Sequence, residues 1–233
     1  MEGYYETMVK TVPYDNVFLP DVADHVLSAM EHGPVFSFNV TYQNHGPYST
    51  DYARFSDIYV PQEDLSSSDW HIINNYLWGI QDTSRRMQTM VDEFRTIDEP
   101  VVLVFFGDHK PWLGEQSVTY DALGIDIRGS TEESFRNYYA TEYLFWANDA
   151  AKAVLGTDLV GQGPEISPCF LMNVLFEQLG WDGPGFTKLT NEVKAQLPVL
   201  HTTRRNQAEQ KTISAPMIHT QYYLAMDAGG MHP

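Results

Sequence analysis

Two places in the chain hold side chains whose types and spacing could do chemistry. Asp108-His109 follows directly on the apolar run Val101-Val102-Leu103-Val104-Phe105-Phe106, with Gly107 between. A hard carboxylate beside an imidazole suits a borderline divalent cation such as Mn²⁺ or Zn²⁺. Gly107 would let the backbone turn sharply enough to aim both side chains at one ion. In open α/β sheets ligands gather at the carboxyl ends of strands, where this pair falls. As a bare tripeptide, Gly-Asp-His is also what an ordinary polar strand end looks like. The second candidate is His45, in Asn44-His45-Gly46-Pro47-Tyr48. It could donate a hydrogen bond to a phosphate oxygen, although loop histidines are commonly plain surface residues. His25, His32, His71, His201, His219 and His232 show no spacing that marks a site.

The elements that must position these residues follow from the pattern. Asp21 is expected to cap a helix running to about Glu31, with Pro13 and Pro20 as breakers before it. Val35–Val40 reads as a buried strand leading into the His45 loop. Ser66-Ser67-Ser68-Asp69 is a strong cap cluster. A long helix follows from about Trp70 to Arg95, with Ile72, Tyr76, Ile80, Met87, Val91 and Phe94 on one face. Asp82, Arg85 and Arg86 fall on its solvated side. Residues 101–106 read as a central parallel strand buried on both faces, and Glu142–Ala147 as another strand. Ser167-Pro168 should cap an apolar helix over Cys169–Leu179, closed by Gly180. Cys169 is expected to be buried within it. A last amphipathic segment covers about Leu189–Leu197, and the tail from Arg204 onward is of uncertain order. Strands alternating with helices make this α/β with a largely parallel sheet.

The 233 residues are enough for one sizeable domain. Fourteen Lys and Arg stand against 31 Asp and Glu, a formal net charge of −17. Such a field repels nucleic acid and anionic surfaces, so no nucleic-acid partner is expected. The densest basic pairs are only Arg85-Arg86 and Arg204-Arg205. One cysteine rules out an internal disulfide. No apolar run approaches the ~18 residues of a membrane span, and no signal segment opens the chain. As given, the chain is expected to be soluble.

Taken together and in order, four segments resemble the lipoteichoic acid synthases and related phosphoglycerol transferases of the sulfatase/alkaline-phosphatase superfamily. Ser37–Tyr48 is similar to their strand and histidine loop. Phe105–Gly114 is similar to their Gly-Asp-His metal segment, with its trailing proline and glycine. Thr141–Asn148 resembles the next strand, which in the family commonly ends in Trp or Tyr-x-Asn. Ile166–Gly180 resembles the late buried helix. The likeness is strongest over residues 20–185 of one partial catalytic domain spanning 1–233.

The resemblance implies an alkaline-phosphatase/sulfatase-like sandwich, present as its C-terminal half, and a phosphoryl-type transfer. In the family a metal-activated threonine attacks the ester, and a covalent phosphoglycerol-enzyme passes its group to an acceptor; the cation lowers the hydroxyl pKa and neutralises phosphate charge. Asp108 and His109 match two metal ligands, and His45 matches the residue that holds the phosphoglycerol group. The implied ion is Mn²⁺, with Zn²⁺, Mg²⁺ or Ca²⁺ as alternatives. The implied partners are a phosphoglycerol lipid head group and a glycolipid or glycan acceptor, at the extracellular face of a bacterial membrane. The family's nucleophile and a glutamate ligand lie upstream of the histidine loop, and the 44 residues before His45 do not read as the unit that carries them. The expectation is therefore a chain that is inactive alone and binds metal weakly or not at all. A sulfatase or phosphodiesterase of the same superfamily, or a non-catalytic phosphoglycerol- or glycan-binding module, is the alternative. An excised half-sheet would also leave a strand edge and apolar surface, so a homodimer is expected.

Overall fold

The computed structural model of the chain describes residues 8–9, 12–201 and 207–228. It divides into two compact units, Met1–Asp98 with Phe105–Leu144, and Glu99–Val104 with Phe145–Pro233.

In the first unit, β1 (Met8–Val9) and β2 (Val12–Pro13) form a minimal antiparallel hairpin. The chain turns helical at once to give α1 (Asp15–Met30), well before the expected start at Asp21. Pro20 lies inside this helix rather than ahead of it. An interior proline costs about 3 kcal/mol. Burial of Leu19 and Ala23 offsets it, since one leucine alone contributes about 1.5–3 kcal/mol. The long helix is α2 (Ser67–Phe94), and the Ser66 hydroxyl accepts the Asp69 N–H at its start, as the cap cluster predicts. Its buried stripe departs from the expected one. Ile72 and Phe94 are buried, but Ile80 is exposed, and Asn74, Gly79 and Thr83 share the interior face.

Val35–Val40 forms no ladder among the described residues. Phe36, Phe38 and Val40 stand 79%, 68% and 66% exposed, so the expected buried strand is not seen. Its alternation with Ser37 and Asn39 is a strand pattern, but a strand needs a neighbour, and none of the described segments supplies one.

A 3-10 turn (Glu115–Ser117) leads to α3 (Val118–Ala122), and α4 (Glu132–Tyr139) opens with a Thr131–Ser134 capping box. Ile72, Leu113 and Tyr120 make the core of this unit, with Tyr48, Tyr76 and Ile127 packed on it.

The strand β3 (Val102–Phe106) pairs with β4 (Tyr143–Ala147), and each contributes residues to both units. Gly107 N–H donates to Glu142 O, and Asn148 N–H to Val101 O, both at 3.1 Å. Opposite ends therefore meet, and this pair runs antiparallel. The parallel neighbours expected for β3 are not among the described residues. Phe105 and Phe106 accordingly remain partly exposed instead of buried on both faces.

In the second unit Asn148 shows why a strand should end in Asn. Its Oδ1 accepts from Val101 N and Ala151 N, capping α5 (Asp149–Leu155), while its Nδ2 donates to Glu99 O. The expected helix over Cys169–Leu179 splits into a 3-10 turn (Pro168–Phe170) and α6 (Leu171–Gln178). Ser167 makes no capping bond; its hydroxyl donates to Leu200 O and accepts from Leu200 N. Within the turn Phe170 goes inward at 0% exposure and Cys169 faces out, so the cysteine is exposed rather than buried. α7 (Gly185–Gln196) and α8 (Gln207–Ala228) complete the unit. Phe170, Val193 and Met217 form its core, so the stretch after residue 206 holds a packed helix. Arg204, Arg205 and His232 lie outside the described residues. Among those described, no helix is long and apolar enough to cross a membrane.

Candidate functional site

All three sequence candidates fall within the first unit, and the structure brings them together. The His45 and His109 rings meet edge to face with centroids 6.0 Å apart. Two contacts make that approach possible. The Trp112 ring lies 3.4 Å from where a Cβ on Gly46 would stand, so the histidine loop rests on the segment after His109. Tyr48 and Leu113, one from each segment, share the same apolar cluster on α2.

Gly107 is needed for close packing, not for a special turn. A Cβ there would meet the Thr141 Cβ at 3.2 Å, and the Thr141 hydroxyl donates to Gly107 O at 2.7 Å. The strand end is thus pinned, and Asp108 and His109 project from it into solvent, 75% and 60% exposed. His109 Nδ1 lies 2.8 Å from Lys110 O, which as a carbonyl must accept, so Nδ1 carries the proton. Nε2 is left with its lone pair, 3.6 Å from Asp108 Oδ2. Two ligand atoms each about 2.0–2.2 Å from one tetrahedral ion stand roughly 3.4 Å apart. The pair therefore fits as two ligands of one cation, with the imidazole tautomer fixed by its second nitrogen. Among the described residues, no group of three or more His, Cys, Asp or Glu side chains could hold an ion. Catalytic sites usually use about three protein ligands, so these two donors by themselves fall short of that number.

His45 is held as firmly as a surface residue can be. Tyr42 stacks on its ring at 4.7 Å and 9°. Its Nδ1 lies 2.6 Å from Gly46 O and so donates there, which leaves Nε2 of this exposed ring with the lone pair. When the ring carries both protons, Nε2 can donate to an anionic oxygen.

Beneath the loop lies a buried polar group that the sequence does not advertise. Asp15 is fully buried, and its backbone N–H donates to Gln43 Oε1 at 2.9 Å. The Thr83 hydroxyl donates to Asp15 Oδ2 at 2.5 Å and accepts from Asn44 Nδ2 at 2.7 Å. Gln43 Nε2 donates to Gly79 O and to Asp82 Oδ2. Asp82, expected on a solvated face, is thereby drawn under the loop, with Arg86 as its partner at 3.1 Å. Arg85 stays on the surface with Asp57. The Tyr48 hydroxyl, its pKa raised by burial, donates to Asn44 O.

Burial holds the Asp15 carboxyl above its ordinary 3.8, opposed by the Thr83 hydrogen bond and reinforced by the Asp82 charge. A carboxyl with a raised folded-state pKa contributes stability that is complete below its unfolded pKa and is lost as pH rises through the folded value. Asp15→Asn mimics the neutral form. Compared with wild type, it is therefore expected to lose less stability as pH climbs from about 4 toward neutrality. Urea midpoints at several pH values measure this, and parallel curves for the two proteins would contradict it.

Comparison with known families matches residues 2–180 to the sulfatase family, a span that ends before α7 and α8. The chain is 28% identical over 174 residues to a Rhizobium meliloti (strain 1021) protein named "Putative cyclic beta-1,2-glucan modification protein". That similarity covers 72% of this chain and 25% of the relative, so the chain spans well under half of the relative's length. No solved structure matches. Sulfatase-family enzymes use a divalent metal, in keeping with the donor pair at the end of β3. With the family's pattern running through the histidine loop, the Asp-His segment and α6 of an α/β fold, this chain belongs to the sulfatase family.

Proposed function

We propose that this chain contributes Asp108, His109 and His45 to an extracellular, metal-dependent site that transfers phosphoglycerol from a lipid donor to a glycan. Asp108 Oδ2 and His109 Nε2 would hold the ion, Mn²⁺ by donor type, with the remaining ligands and the nucleophile supplied from elsewhere in the site. When bound, the ion supplies positive charge against the phosphate. His45, stacked on Tyr42 with Nδ1 donating to Gly46 O, would donate through Nε2 to a non-bridging phosphate oxygen when its ring carries both protons. The 6.0 Å approach of the His45 and His109 rings supports this reading best, because a phosphate held by the ion would lie within reach of His45. The relative's name, which speaks of modifying a cyclic glucan, favours a glycan as acceptor.

Titration of the chain with glycerol phosphate, followed through the imidazole C–H signals, tests the role of His45. The His45 signal is expected to move with saturation, and the movement is expected to vanish in His45→Ala. Equal or tighter binding of inorganic sulfate would favour sulfate-ester chemistry and count against phosphoglycerol transfer.

A further inference from the structure

We propose that Asp15, Thr83 and Asn44 form a buried positioning relay that fixes the place and ring orientation of His45; its functional meaning rests on the phosphate-side role of His45.

The relay is built across the unit. Asp15 opens α1, Thr83 lies mid-way along α2, and Asn44 immediately precedes His45. Asp15 does not cap its own helix; its carboxyl reaches over to Thr83. The bonds run in one direction, with Asn44 Nδ2 donating to the Thr83 hydroxyl and that hydroxyl donating to Asp15. Gly79 leaves room for it. A Cβ there would run into Asn44 Oδ1, so the amide sits directly on the α2 backbone. The Gln43 and Tyr48 bonds hold the loop on either side of the same point.

A purely structural junction between two helices would be cheaper if apolar, because every buried polar group must recover its lost hydration. Here two acceptors, Asp15 Oδ1 and Asn44 Oδ1, are buried with no partner. Costly buried groups of this kind are retained where they specify one arrangement. What they specify is the peptide that carries His45.

Thr83→Val keeps the shape of the side chain and removes its hydroxyl, and Thr83→Ser restores the hydroxyl. Both are compared with wild type in the 233-residue chain by imidazole ¹H–¹³C spectra, without ligand and then with glycerol phosphate. In Thr83→Val the His45 signal is expected to lose the ring-current shift from Tyr42, while His32 and His71 stay in place. Glycerol phosphate binding is expected to weaken about tenfold, as loss of supporting contacts commonly does. Thr83→Ser is expected to return both toward wild type. A His45 signal and affinity unchanged in Thr83→Val would overturn the relay. So would a loss that serine does not rescue, since that would trace to the methyl group. If wild type ignores glycerol phosphate yet Thr83→Val still shifts His45, the relay stands and the ligand assignment for His45 falls.

Discussion

Replacing Phe170 by alanine is expected to destabilise the second unit by about 3–5 kcal/mol, the range for truncating a fully buried aromatic. The ring is 0% exposed and sits between Val193 of α7 and Met217 of α8, with Ile166, Phe186, Leu200 and Ile213 around it. Collapse into the space is hindered because Ser167 ties the turn to Leu200 through two hydrogen bonds. Cys169→Ser, one residue away but facing solvent, serves as the control and is expected to stay within about 0.5 kcal/mol. Urea unfolding followed by circular dichroism measures both. A loss below about 1 kcal/mol for Phe170→Ala would mean that α7 and α8 do not pack on this turn.

His109→Ala is expected to weaken the already weak Mn²⁺ binding at the Asp108 pair by about 10- to 100-fold, leaving a single exposed carboxylate. Asp108→Asn should weaken it by a similar factor, because it exchanges a charged oxygen donor for a neutral one. The chain carries a net charge of −17, so some Mn²⁺ will gather diffusely around it. Only binding lost in these variants counts as the site. Electron paramagnetic resonance of free Mn²⁺ against protein concentration measures it, and a saturable wild-type isotherm that His109→Ala leaves unchanged would contradict the assignment.

The residue types that could do this chemistry are legible in the sequence. Gly-Asp-His after an apolar run and a histidine in an Asn-His-Gly-Pro loop each mark a candidate, and the two histidine rings lie 6.0 Å apart. The supporting parts were not legible, and the reason is physical. Hydrophobic periodicity finds faces buried by apolar side chains, whereas the middle of α2 is buried through Asn74, Gly79 and Thr83. Reading Ile80 as core and Asp82 as solvent follows directly from that. Gly79 was the available clue, since a glycine inside a long helix costs about 1 kcal/mol and asks for a close neighbour. Pro20 misled in the opposite sense, because a local breaker signal gave way to the packing of Leu19 and Ala23. Cys169 followed its turn rather than its apolar neighbours. Val35–Val40 reads as a strand from its local composition, yet a ladder depends on a second strand, which local sequence does not report.

If His45, Asp108 and His109 form one site, paramagnetic broadening by an ion bound there must reach both histidine rings. Mn²⁺ held by Asp108 and His109 would relax nearby protons through an effect that falls steeply with distance, and it does so even at low occupancy. Substoichiometric Mn²⁺ is expected to erase the His109 and His45 imidazole signals first, while His32 and His71 persist. His25, which lines a surface pocket beside Asp21 and Asp24, reports diffuse binding to acidic surface. Loss of His45 together with His109, ahead of His25, is the predicted result. Broadening of His25 first, or of all histidines alike, would contradict the account.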